Sequence, residues 1–67
     1  MEKYYSSKQS AVRGMWRWYH RNVGGSPLVG DNGTTLQWVS CEALTRRAYV
    51  TKSDYYQQYI LVTPDNY

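Results

Sequence analysis

Arg13, Arg17 and Arg21 recur at every fourth position of the chain. On an α-helix that spacing stacks side chains turn above turn on one face, about 6 Å apart. A guanidinium is a planar fork whose donors fit phosphate oxygens and whose faces stack on flat rings. The row therefore has the chemistry of an anion-binding strip, and a run of phosphates matches its repeat. No acidic residue lies between Lys3 and Val23, a stretch that holds Lys3, Lys8, Arg13, Arg17 and Arg21. Each like-charged pair at this spacing repels by a few tenths of a kcal/mol, with nothing in the helix to relieve it. A charged helix face ordinarily just faces water. Contact with nucleic acid and contact with an acidic protein surface are the two functional alternatives.

Arg46-Arg47 forms a second, smaller basic pair. Read as part of a helix it points outward, and with Lys52 it would extend the same surface. The plainer reading is solubilising charge, with Glu42 one turn away. Trp16-Arg17-Trp18-Tyr19-His20-Arg21 interleaves rings with cations. Such runs occur where nucleobases stack on side chains and where helices lie at a membrane interface. Helical spacing sends Trp16 and Tyr19 to the core side and leaves Trp18 at its edge, the ring best placed to stack or wedge. The site residues expected to bind nucleic acid are thus Lys8, Arg13, Arg17, Trp18, Arg21, Arg46 and Arg47.

Catalytic chemistry finds little footing. His20 is the one imidazole and Cys41 the one thiol. A cysteine at a helix start can act as a nucleophile, but a buried, cap-adjacent cysteine is the commoner arrangement. One cysteine and one histidine make a poor zinc set. No glycine-rich run joins a strand to a helix, so no nucleotide loop is visible. The expectation is a protein that is not an enzyme, with no catalytic residues, no metal and no cofactor.

The elements that must position these residues follow from periodicity and punctuation. Ser6 and Gln9 form a capping box that opens a helix over about 7–23. Val12, Trp16, Tyr19 and Val23 fall at helical spacing on its apolar side, widened on one side by Ala11, Met15 and Trp18, and Gly24-Gly25 ends it. Gly14 sits inside this helix at a cost of about 1 kcal/mol relative to Ala. Asp31-Asn32-Gly33 separates two short apolar runs, and Asn-Gly favours a tight hairpin turn, so a β-hairpin is expected over about 28–39. Beyond it two readings stand. In the first, Ser40 caps a short helix at 41–49, and Thr51 to Asp54 opens another at 52–60 with Tyr55, Tyr56 and Tyr59 on one side. In the second, alternation through Leu44, Arg46, Ala48 and Val50, a turn at Lys52-Ser53-Asp54, and a β-rich Tyr55 to Thr63 make a β-meander. The helical reading is preferred because two separate cap signals support it.

On the helical reading, two short helices meeting at Val50-Thr51 beside a hairpin resemble the small winged-helix proteins of phages and mobile elements. The likeness is in element order over about half the chain. It implies a small accessory or regulatory protein, phage-encoded or carried on a mobile element, that binds nucleic acid, and it assigns no residue a role.

Composition bounds the rest. The 67 residues carry 8 Lys or Arg against 5 Asp or Glu, a net charge of +3. Arg46, Arg47 and Lys52 are balanced by Glu42, Asp54 and Asp65 over residues 34–67, so the positive excess lies towards the other end. A chain this short buries only about 60% of its unfolded surface, and its aliphatic residues are few, so Trp16, Trp18, Trp38 and tyrosines must supply core. The thin core leaves room for a homodimer. No apolar run approaches the roughly 20 residues of a membrane span, and no secretory leader pattern is present. A lone cysteine fits a reducing, cytoplasmic setting. The expectation is one α+β domain over 1–67 with loose termini at 1–5 and 64–67. It binds nucleic acid through the basic helix. The alternative is a protein–protein interaction module, an inhibitor or adaptor of a host enzyme, working through a Tyr/Trp-rich surface.

Overall fold

The computed structural model describes residues 1–55 and 58–67. Strand β1 (Glu2–Tyr5) is followed by helix α1 (Lys8–Asn22) and strands β2 (Leu28–Gly30), β3 (Thr35–Val39), β4 (Thr45–Lys52) and β5 (Tyr59–Val62). The five strands form one antiparallel sheet in the order β1-β5-β4-β3-β2. The architecture is α+β, with the helix on one face. Because β1 and β2 occupy opposite edges, α1 carries the chain across the whole sheet. Fifteen helical residues span about 22 Å, close to the roughly 19 Å between the edges of five strands.

Among the described residues the chain after Val39 is the β-meander, and the two helices expected at 41–49 and 52–60 are not formed. Alternation decides it. Ala48 and Val50 are buried while Tyr49 and Thr51 are exposed, a period of two that a helix cannot satisfy. The resemblance to winged-helix proteins rested on those two helices and goes with them. Tyr56 and Gln57, part of the second expected helix, lie outside the described residues. The hairpin at 28–39 exists as the β2–β3 pair, but residues 31–34 connect it rather than a two-residue Asn-Gly turn.

Met1 to Tyr5, expected as a loose lead-in, instead supplies β1. Its pairing with β5 continues at Met1, where the Thr63 amide donates to the Met1 carbonyl at 2.9 Å. The start of α1 is also one residue later than expected. Ser7, not Ser6, is the cap, accepting from the Ser10 amide at 3.2 Å. Gly24 ends the helix as expected, at φ 78° with its amide donating to the Tyr19 carbonyl.

The core face of α1 differs from the Val12, Trp16, Tyr19, Val23 stripe by roughly a quarter turn. Ala11, Gly14, Met15 and Tyr19 are the buried positions, packed on Leu36, Trp38, Ala48, Val50 and Leu61 of the sheet. Small residues permit the close approach. The larger Val12, Trp16 and Val23 flank the contact, half-buried. Among the described residues no helix is long and apolar enough to cross a membrane.

Candidate nucleic-acid interface

Helical geometry places Arg13, Arg17 and Arg21 as the sequence predicts. They occupy successive turns of α1 and all three are exposed. Among the described residues no carboxylate lies within 4.0 Å of any of them, the one such ion pair being the Met1 ammonium with Asp65 at 3.5 Å. Arg21 also sits in the last helical turn with His20, where a cation meets the partial negative charge of the helix end.

The quarter-turn rotation has a consequence for this row. It brings Arg21 from the back of the helix to the flank that faces β1 and the 63–67 segment, with Arg17 one turn earlier above that flank, and turns Arg13 to the back. A groove of about 510 Å³ runs along that flank. Arg17 and Arg21 line one side, and Lys3 and Tyr5 line the other. Lys3 pairs in register with Leu61 and Tyr5 with Tyr59, so both project to the helix-bearing face of the sheet. The Lys3 ammonium stands 5.7 Å from the centre of the Tyr5 ring, within cation–π range.

Trp18 and Tyr67 complete the groove. Trp18 is half-buried, with its ring centre 5.7 Å from Trp38 and 5.3 Å from Tyr67, edge to face with the latter. The Tyr67 hydroxyl donates to the Asn22 side-chain carbonyl at 3.1 Å, and the Asn22 amide donates to the Trp18 carbonyl at 2.9 Å. The 64–67 segment, expected to be loose, is therefore tied to the end of α1. Arginine forks, a lysine and three rings thus converge from the helix, the edge strand and the tail. Such a set can hold an anion and a flat, π-bearing group together.

The remaining expected site residues are not brought here. Lys8 opens the helix about 140° around its axis from Arg13. Arg46 and Arg47 do not form one surface. They are neighbours on β4 and so point to opposite faces of the sheet. Arg46 stands opposite Trp38 on the helix-bearing face, half-buried, whereas Arg47 stands opposite Gln37 on the other. Trp16, expected in the core, is half-buried and stacks on His20 at 5.5 Å. Cys41 is exposed in the β3–β4 turn rather than buried beside a helix cap. Lys3, Tyr5, Asn22 and Tyr67 were missed. The Tyr4-Tyr5 pair, with its β-propensity, was the available sign that the opening residues form a strand.

Comparison with protein-family profiles, curated proteins and solved structures finds no match to this chain.

Proposed function

We propose that this protein binds nucleic acid through the Arg13–Arg17–Arg21 row of α1. The observation that carries the reading is that three arginines stand on successive turns, exposed and, among the described residues, without a carboxylate within 4.0 Å. A helix that gains nothing internally from this repulsion is suited to an external polyanion. The groove beside the row adds Lys3 to the same field. The role is that of a binding module, and it uses no catalytic residue.

Titration of labelled DNA and RNA at two salt concentrations tests it. Three phosphate contacts predict an affinity loss of about 20–40-fold between 50 and 200 mM salt. Replacing Arg13, Arg17 and Arg21 together by Gln removes binding. A triple variant that binds both nucleic acids as the parent does overturns the reading.

A second reading, a protein-binding module, draws on the sheet face turned away from α1. Tyr4, Leu28, Val39 and Tyr49 are all exposed there, a composition found in interfaces. On that reading the arginines only steer an acidic partner. The triple variant then slows association without abolishing it.

A further inference from the structure

From the groove beside the arginine row we infer that the nucleic acid is single-stranded, with an unpaired base seated between α1, β1 and the Tyr67 segment. The inference rests on the proposed nucleic-acid reading and adds the form of the strand. An exposed arginine row by itself accepts the phosphates of a duplex or a single strand alike. The groove is what distinguishes them. It is concave, about 510 Å³, in the size range of sites that enclose small ligands. The bases of a duplex are paired and stacked inside it, so their faces do not reach into a concave site. An unpaired base presents a free face, and base–aromatic stacking is the sequence-tolerant way such strands are held.

The chemistry is layered in the right order for that ligand. Arg17 and Arg21 are exposed and belong both to the phosphate row and to the groove wall. One nucleotide can therefore engage them with its phosphate while its base turns inward. Tyr67, 46% exposed, offers ring surface, backed by Trp18 at 5.3 Å. Lys3 and Tyr5 close the far side. Asp65 is the one acidic side chain among the described lining residues, and the Met1 ammonium stands 3.5 Å from it. The side-chain charge of the groove stays cationic, three basic residues against one acid.

The test compares four labelled probes of equal length: an oligothymidylate, an oligouridylate, an abasic single strand and a duplex. Anisotropy titration is run on the full chain, on Tyr67→Ala, on Trp18→Leu and on the Arg13→Gln/Arg17→Gln/Arg21→Gln variant. The parent is expected to bind both base-bearing single strands about tenfold more tightly than the abasic strand and more tightly than the duplex. Tyr67→Ala is expected to erase most of the preference over the abasic strand while leaving abasic affinity in place. Trp18→Leu, checked for a parent-like unfolding transition, should do the same. Equal affinity of the parent for base-bearing and abasic strands overturns the base seat, as does tighter binding of the duplex. So does a preference that survives both ring variants. In those cases, loss of all binding in the arginine variant leaves the phosphate-binding row standing. A parent that binds none of the probes, or an arginine variant that binds them all as the parent does, overturns both.

Discussion

The hydroxyl of Tyr5 occupies the space that a side chain at Gly14 would fill. The glycine is thus a docking point. Edge strand β1 leans its tyrosine across the helix there, and both residues line the groove. A helix-interior glycine costs about 1 kcal/mol relative to Ala, and here the lost propensity is exchanged for close approach.

Gly14→Ala is accordingly expected to destabilise the fold despite its better helix propensity. Overpacking of a tight contact costs about 1–3 kcal/mol, more than the propensity gain at the upper end. Urea denaturation measures it. In a Tyr5→Leu background the penalty should disappear and the substitution should become neutral or stabilising. A double-mutant cycle with no coupling between the two positions refutes this account.

The β3–β4 turn gives the opposite case. Ala43 sits at φ 61°, in the left-handed region that costs a residue with a side chain about 1–2 kcal/mol. The Ala43 amide donates to the Ser40 carbonyl and the Ser40 amide to the Leu44 carbonyl, a turn geometry that favours glycine at this position. Ala43→Gly should raise the unfolding free energy by about 0.5–1 kcal/mol with an unchanged urea dependence. A lowered midpoint contradicts the strain assigned to this residue.

This turn also explains why the C-terminal half was misread. The Ser40 hydroxyl does accept backbone hydrogen bonds, from the Glu42 and Leu44 amides at 3.3 Å each. Ser53 does the same for the Tyr55 amide. Helix caps and serine-closed turns use the same local bonds, so the signal was genuine and its meaning lay in what followed. The usual hairpin mark, a glycine in the left-handed position, is absent because Ala43 holds that place. By contrast, helix α1, its arginine spacing and its Gly24 stop were legible, because all are local. The buried face of α1 was legible only in part: Tyr19, Ala11 and Met15 fall on the apolar side and are buried, but apolar patterning centres the face on Val12 and Trp16, whereas Ala11 and Gly14 bury by being small. The groove was the least legible feature. It exists only once β1 pairs with β5 and Tyr67 reaches Asn22, contacts between residues far apart in the chain.

Trp38 and Arg46 face each other across β3 and β4, and each holds a buried donor without an acceptor among the described residues, Nε1 and Nε respectively. An unmet buried donor costs about 1–3 kcal/mol, while the arginine stem still packs. Arg46→Met keeps a comparable stem and deletes the donor. It should leave stability unchanged or raise it by about 1 kcal/mol in thermal or urea unfolding. A clear loss of stability shows that the guanidinium contributes something beyond its stem.

The two basic residues of β4 separate local from global charge at the proposed interface. Arg47 is exposed on the sheet face opposite α1, so it cannot share a strand with the Arg13–Arg17–Arg21 row. If binding follows net charge alone, Arg47→Gln and Arg17→Gln weaken it equally, because each removes one unit. If binding follows the row, each of Arg13→Gln, Arg17→Gln and Arg21→Gln reduces the slope of log affinity against log salt by about 0.7–0.9, the value for one lost phosphate contact. Arg47→Gln then leaves the slope unchanged. Lys3→Gln should resemble Arg17→Gln, because β1 brings Lys3 to the groove that Arg17 lines. Salt titrations of these five single variants against one single-stranded probe read the difference directly. Equal slopes for Arg17→Gln and Arg47→Gln refute the assignment of the interface to this flank of the helix.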